Sequence, residues 1–282
     1  MKIVGNVEEL REQIADWRRA GDHVALVPTM GNLHQGHLSL IDIARECAER
    51  VVVSIFVNPT QFSASEDLEG YPRTLELDKR KLKRAKVDLI FAPDVETMYP
   101  FGVDSATSVR VPVLTEDLCG TFRPGHFDGV TTVVNRLFSL VQPDVAVFGR
   151  KDYQQQLVIR RMVQDLNIPV EIVTGPTVRE DDGLAMSSRN QYLTEDERKV
   201  APELHAELSA IAEALAAGDR DFGALEKVAT DKLGAAGFRP DYVAIRRADD
   251  LGEPGADTTN FVVLAAAWLG DARLIDNIDV IA

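Results

Sequence analysis

The sequence predicts an α/β protein, a doubly wound parallel sheet covered by helices on both faces, followed by a smaller α+β module. Three observations carry that prediction. Short apolar runs alternate with helix-length amphipathic segments through about residue 176. The run at 24–27 is continuously apolar and that at 51–57 is apolar but for Ser54, as expected of central parallel strands buried on both faces. Beyond residue 176 the alternation gives way to two helical segments and then two short strands. The expected domains are therefore 1–176 and 177–282.

Each element has its own signal. Residues 7–20 place Leu10, Ile14 and Trp17 on one helical face. Residues 24–27 form a buried strand. Residues 37–50 repeat Leu38, Ile41, Ala44 and Ala48 at helical spacing, and 51–57 is the next strand. A basic helix is expected over 75–85 and a strand over 87–91, stopped by Pro93. A helix over 130–141, a strand over 145–148, a helix over 153–166 and a strand over 170–173 complete the first domain. In the second, Thr194-Glu-Asp-Glu197 fits a capping box that opens a long Ala-rich helix toward Ala217. Gly218 breaks it, a second helix spans 222–233, and strands at 242–245 and 261–268 flank a loop rich in Gly, Pro and Asp.

The composition narrows the function classes. A chain of 282 residues is long enough for one large or two modest cores. Its 45% hydrophobic and 27% charged residues are ordinary for a globular protein. A net charge of −14 repels polyanions and argues against a general nucleic-acid binder. The two cysteines, Cys47 and Cys119, form no Cys-x-x-Cys pair, so they read as free thiols rather than a zinc signature. The N-terminus lacks a signal-peptide run and no stretch approaches the ~20 apolar residues of a membrane span. A reducing cytoplasm is the expectation.

The chemistry-bearing motifs follow the predicted strands, where ligands of parallel sheets bind. After the first long strand comes Pro28-Thr-Met-Gly-Asn-Leu-His-Gln-Gly-His37. Its glycines, Gly31 and Gly36, permit close backbone approach, and His34 and His37 sit where a helix starts. Backbone N–H groups, a helix dipole and two imidazoles can thus converge on one phosphate. The His-x-Gly-His pattern resembles the signature of the HIGH nucleotidyl-transfer superfamily, whose members attack the α-phosphate of a nucleoside triphosphate. A metal pair made by the two histidines lacks an obvious third ligand.

Other segments are more ambiguous alone. Asn58 and Gln61 in Phe56-Val-Asn-Pro-Thr-Gln-Phe62 offer amides suited to a small polar substrate, or make a simple Asn-Pro turn. Glu76 and Asp78, after Tyr71-Pro-Arg-Thr74, suit Mg²⁺ beside a triphosphate, or the acidic start of a solvated helix. Arg123-Pro-Gly-His-Phe127 is a phosphate contact, a gate or a plain turn. In Gly149-Arg-Lys-Asp-Tyr-Gln-Gln155, Lys151 can neutralise phosphate, Asp152 can accept from ribose hydroxyls, and Gln155 faces the site one turn on. Met186-Ser-Ser-Arg-Asn190 carries two hydroxyls and a guanidinium, which are good triphosphate ligands.

Taken in order, these motifs and the tail Ala272-Arg-Leu-Ile-Asp-Asn277 resemble the pantoate–β-alanine ligase (pantothenate synthetase) family over essentially the whole chain. The resemblance implies a Rossmann-type N-terminal domain, a smaller C-terminal lid domain, a homodimer, and the use of ATP and Mg²⁺. Position by position, it implies that Met30, Gly31, Asn32, Leu33, His34, Gln35, Gly36 and His37 bind ATP, with His37 as general acid. It adds Gly149, Arg150, Lys151, Asp152, Val178, Met186, Ser187, Ser188 and Arg189 to the nucleotide site. Gln61 and Gln155 would hold pantoate, Gln61 also β-alanine, with Asn58 and Met30 beside them. Asp78 is the expected metal ligand. His34, His37, Lys151, Ser187, Ser188 and Arg189 would share the charge developed during catalysis. The segment 178–190 is the expected cover. Two positions depart from the family pattern: Arg150 stands where an acidic residue is common, and Leu77 replaces the first of two adjacent acidic residues.

Competing classes predict different chemistry. A nucleotidyltransferase that stops after nucleotide transfer shares His-x-Gly-His but lacks the paired glutamines. A tRNA synthetase fragment would carry a basic stripe, which the −14 charge does not favour. A non-catalytic nucleotide sensor would bind ATP without turnover.

Overall fold

The structure, a computed structural model, describes residues 1–62 and 68–282. It divides into two units: unit 1 is Met1–Arg150 with Val158–Pro176, and unit 2 is Lys151–Leu157 with Thr177–Ala282.

Unit 1 is built on β1 (Lys2–Val4), α1 (Val7–Ala20), β2 (Val24–Thr29), α2 (Gln35–Cys47), β3 (Arg50–Ile55), α3 (Leu75–Arg84), β4 (Leu89–Phe91), the single turns α4 (Val95–Met98) and α5 (Cys119–Phe122), α6 (His126–Val141), β5 (Val145–Gly149), α7 (Tyr153–Asp165) and β6 (Glu171–Gly175). The first residues of α7 belong to unit 2. All six strands are parallel, in the order β1-β4-β3-β2-β5-β6. The chain adds strands leftward from β2 to β3 and β4, then returns to lay β5 and β6 on the other side. The switch point of this doubly wound sheet is therefore at β2, the strand that feeds the His-x-Gly-His turn.

Successive strand residues face opposite ways. Ala25, Val27, Val51, Val53, Ile90, Val145 and Val147 pack against Leu40, Ile41 and Ala44 of α2 and Leu82 of α3. On the other face, Phe148 meets Phe138 of α6 edge-on, with ring centroids 6.4 Å apart. Helix ends follow the sequence. The Asn6 side chain accepts from Glu9 N at 2.9 Å to start α1, and Gly21, at φ +85°, closes it.

Unit 2 contains α8 (Glu195–Val200), α9 (Glu203–Ala216), α10 (Phe222–Ala235) and an antiparallel sheet of β7 (Arg239–Arg247), β8 (Asn260–Leu269) and β9 (Ala272–Ile281), in the order β7-β8-β9. Leu204, Leu208, Ile211 and Leu215 of α9 pack on Phe261, Val263 and Ala265 of β8. The doubly wound sheet and the separate α+β module match the predicted fold class.

Three expectations are corrected. The Ala-rich helix is two helices. The Thr194–Glu197 capping box does start α8, with Thr194 N donating to Glu197 at 2.8 Å. Pro202, which lacks an N–H and crowds the preceding turn, then forces a break before α9. The other two are strands absent from the expected elements, β1 and β9.

Candidate active site

Within unit 1, the turn after β2 is held from two directions. Thr29 Oγ1 donates to Ser54 O at 2.8 Å, and Gly31 N donates to Thr29 Oγ1 at 3.2 Å. Gly31 sits at φ +83°, and a Cβ there would meet Asp78 Oδ2 and Ile55 Cγ2, both at 3.2 Å. Asn32 is also left-handed, at φ +50°. The fully buried Asp78 carboxylate clamps the next two residues of the turn. Oδ2 accepts from Asn32 N at 2.9 Å and Thr74 Oγ1 at 3.0 Å, and Oδ1 accepts from Leu33 N at 2.9 Å. Lys81 Nζ donates to Leu33 O.

The three hydrogen bonds to Asp78 leave Oδ1 with a single donor and so with acceptor capacity to spare. Asp78 is a loop anchor, and Leu77, beside it, points outward and is 48% exposed.

The clamped turn delivers His34 to the N-cap of α2 and His37 to its first turn. Their ring centroids are 4.1 Å apart, and His34 N donates to His37 Nδ1 at 3.2 Å. Because Nδ1 accepts, neutral His37 carries its proton on Nε2. The helix dipole and a proton-bearing imidazole therefore belong to one helix start. Met30 and His34 are half-buried, and Gln35 is exposed. Gly36 O accepts from Ser39 Oγ at 2.9 Å, inside the same turn.

A second group follows β3. Asn58 Oδ1 accepts from Tyr99 Oη at 2.8 Å and Thr60 Oγ1 at 3.0 Å. Its Nδ2 donates to Gly129 O at 3.1 Å and Gln61 Oε1 at 3.2 Å. All of these bonds are internal, so Asn58 holds Gln61 in place. Gln61 Nε2 approaches Met30 Sδ at 3.1 Å, which joins this group to the first. The Arg123–Phe127 turn resolves as a support for it. His126 Nδ1 donates to Gln61 O at 2.8 Å, and Arg123 Nη1 donates to His126 Nε2 at 2.8 Å. Sequence reasoning left that turn open and did not single out Tyr99 or Gly129. The one available signal was Gly129 itself, just ahead of the predicted helix, where a residue without Cβ allows close backbone approach. Gly149 ends β5, next but one to β3 across the sheet, and Arg150 after it is exposed.

Unit 2 gathers a separate group. Lys151, Ser187 and Asn190 line a small cavity with His205, Ile275 and Asp276. A hairpin precedes Ser187: Arg179 bridges Ala185, and Met186 N donates to Val178 O at 2.9 Å. Ser187 Oγ accepts from Arg189 N at 3.2 Å, which leaves its own O–H to donate. Arg179 makes a two-pronged ion pair with the buried Asp276, at 2.6 and 2.9 Å, and His205 Nδ1 lies 3.3 Å from the same carboxylate. Burial raises the Asp276 pKa, but the hydrogen bonds from His205 and Arg179 outweigh it and hold the group below the usual carboxylate range. Asp152, Gln155 and Ser188 are half-buried. Among the described residues no group of three or more His, Cys, Asp or Glu is arranged to hold a metal ion.

Comparison with known proteins bears on this arrangement. A family profile described as pantoate-beta-alanine ligase matches residues 2–279. The chain is 56% identical to the pantothenate synthetase of Thioalkalivibrio sulfidiphilus, covering 99% of this chain and 98% of that one. It is 54% identical to that of Pseudomonas fluorescens, covering 99% and 97%. The crystal structure of pantothenate synthetase from Thermus thermophilus superposes over the full length of both chains, with a TM-score of 0.93 at 48% identity. Pantoate–β-alanine ligase from Francisella tularensis, complexed with beta-gamma ATP and β-alanine, superposes with a TM-score of 0.84 at 32% identity over 99% and 97%. With a profile match from residue 2 to residue 279 and relatives this similar along their whole lengths, the chain belongs to the pantoate–β-alanine ligase family.

Proposed function

We propose that the chain joins D-pantoate to β-alanine at the expense of ATP, through a pantoyl-adenylate intermediate, releasing pyrophosphate and AMP. A carboxylate is a poor electrophile, so amide formation at neutral pH needs an activated leaving group. In the first step a pantoate carboxylate oxygen attacks the α-phosphorus of ATP, and the bond to the pyrophosphate oxygen breaks. In the second the β-alanine amine attacks the acyl carbon, and the bond to AMP breaks. No enzyme nucleophile is needed, so positioning and charge stabilisation carry the catalysis.

The observation that carries this reading is the clamped turn of residues 30–37. It supplies a helix N-terminus and a His37 whose Nε2 holds the proton, suited to donation toward the oxygens that gain charge as pyrophosphate leaves. His34, Lys151, Ser187, Ser188 and Arg189 are the further groups assigned to that charge. Gly149, Arg150, Asp152, Val178 and Met186 complete the nucleotide assignment by family resemblance. Gln61 and Gln155 are assigned to pantoate, and Gln61 also to β-alanine. The rigid seat of Gln61 supports its role, and Asn58 acts through it.

Asp78 is the residue assigned to the metal, and its Oδ1, which accepts one hydrogen bond, keeps a lone pair for that role. Mg²⁺ fits as the companion of ATP, carried on its phosphates, and no step is derived through it. A homodimer in the cytoplasm completes the proposal. Among the described residues no helix is long and apolar enough to cross a membrane.

The test is pyrophosphate exchange into ATP with D-pantoate and Mg²⁺ present and β-alanine absent. Exchange that requires pantoate is the expected result, and added β-alanine then releases AMP. ATP binding with no exchange under these conditions would refute the adenylate step.

A further inference from the structure

Outside the assigned residues, the strongest arrangement in unit 2 lies on β9, where Asp276 and Asn277 are neighbours. Consecutive strand residues point to opposite faces, and here each face holds a different segment. Asp276 is turned toward α9, where it meets His205 and takes the two-pronged pair from Arg179. Arg179 also donates to Gly183 O at 3.0 Å, across the tip of its own hairpin. That hairpin leads directly into Met186 and Ser187, and Asn190 Nδ2 ties back to Ala185 O at 3.1 Å. Asn277, pointing the other way, donates from Nδ2 to Lys151 O at 2.9 Å. Lys151 and Ser187 line the same cavity. The register of β9 is fixed along its length by pairing with β8, Asp276 opposite Ala265 and Asn277 opposite Leu264. Two adjacent strand positions therefore anchor both segments of unit 2 that bear phosphate-directed side chains.

We propose that Asp276 and Asn277 are positioning residues for ATP, setting the spacing between Lys151 and the Ser187–Arg189 segment. The proposal rests on the assignment of those two segments to ATP. Neither residue is assigned to substrate contact, although Asp276 also borders the cavity lined by Lys151 and Ser187. Asp276 acts through Arg179 and the hairpin, and Asn277 acts through the Lys151 backbone.

The experiment is calorimetric titration of the full-length protein with a non-hydrolysable ATP analogue and Mg²⁺. It compares wild type, Lys151→Ala, Ser187→Ala, Asp276→Asn, Asn277→Ala and the double variant Lys151→Ala/Asn277→Ala. Thermal melts establish that each variant is folded at the titration temperature. Asn277→Ala is the deciding variant, because it leaves the Asp276–Arg179 pair intact; Asn277→Ser replaces it if the alanine variant melts too low. The expected result is a Kd about fivefold weaker for Asn277→Ala, the loss of one neutral hydrogen bond. Asp276→Asn, which strips the charge from a buried pair, should weaken Kd by at least as much. In the Lys151→Ala background, Asn277→Ala should change Kd by less than about twofold, since its effect passes through Lys151. If Lys151→Ala and Ser187→Ala leave Kd unchanged, the assignment of ATP to these segments fails. If they weaken it and Asn277→Ala does not, or if Asn277→Ala costs as much in the Lys151→Ala background, the positioning role is overturned.

Discussion

Replacing Gly129 with alanine sets two effects of opposite sign against each other. An alanine inside a helix is worth up to about 1 kcal/mol over glycine. At Gly129, however, an added Cβ would lie 2.3 Å from Thr60 O, 2.5 Å from Thr60 C and 2.7 Å from Gln61 N. These are backbone atoms, so no flexible side-chain end can give way. Ordinary contact begins near 3.4 Å, so α6 and the 59–61 turn must separate by roughly 1 Å. Overpacking of this kind costs about 1–3 kcal/mol. The same displacement stretches two bonds that cross the contact, Asn58 Nδ2 to Gly129 O and His126 Nδ1 to Gln61 O, each worth about 1 kcal/mol. The clash wins, with a net loss of about 2 kcal/mol and a fall in melting temperature of roughly 4–8 °C. On the proposed assignment of Gln61, which this turn carries, to pantoate, kcat/KM for pantoate should drop about 10–100-fold. Gly234→Ala is the matched control. Its Cβ would meet nothing within 4 Å, so it should stabilise by up to about 1 kcal/mol. The assay is a pair of thermal melts with pantoate-dependent pyrophosphate exchange. A Gly129→Ala protein that melts at or above wild type, with its pantoate KM unchanged, would refute the reasoning.

Further outcomes rest on the other supports. Asp78→Asn sets an amide NH₂ where the carboxylate accepts from Asn32 N, Leu33 N and Thr74, so at least one donor faces another donor. About 1–3 kcal/mol of stability should be lost, with weaker ATP binding, by denaturant melts and titration. His37→Ala should lower exchange by about 10²–10⁴-fold while leaving the melting temperature within a few degrees. Asp276 carries a depressed pKa, so its stabilisation is fully present above the unfolded-state carboxylate pKa and is lost as pH falls through the lower folded value. The stability gap between wild type and Asp276→Asn, followed by melts from pH 7 downward, should be constant to about pH 5 and narrow below it. If the 178–190 segment closes over bound substrates, ATP with pantoate should slow tryptic cleavage after Arg189.

The fold was legible where burial dictates composition. The central strands are near-continuous apolar runs because both of their faces are covered, and the doubly wound fold class followed from their alternation with helices. β1 escaped because three residues at a sheet edge make no pattern. β9 escaped because Arg273, Asp276, Asn277 and Asp279 interrupt its apolar residues, and the first three of these are buried only because partners elsewhere in the chain satisfy them. The break between α8 and α9 comes from the single residue Pro202, which the helical periodicity on either side of it does not register. In the site, residue types were readable and their directions were not. Asp78 illustrates this: an acidic residue after a Tyr-Pro-Arg-Thr segment suggests a metal ligand, but nothing local announces that it also anchors backbone N–H groups 45 and 46 positions earlier. The Arg123–His126–Gln61 chain was hidden in the same way, since its bond to Gln61 spans 65 residues.

The division of the chain bears on how members of this family can exchange parts. Unit 2 owns seven residues, Lys151–Leu157, embedded in the middle of unit 1's sequence. Those seven include Tyr153, whose hydroxyl donates to Ala248 O at 2.8 Å, and Lys151, whose carbonyl is held by Asn277. A single crossover between two relatives at residue 176 would pair one parent's Tyr153 and Lys151 with the other parent's Ala248 and Asn277. A clean transplant needs three junctions, after Arg150, after Leu157 and after Pro176, and the second of these cuts through a helix. A chimaera of distant relatives joined at one point thus depends on the two parents agreeing at the donor side chains, Tyr153 and Asn277, and on their placing the two acceptor carbonyls alike.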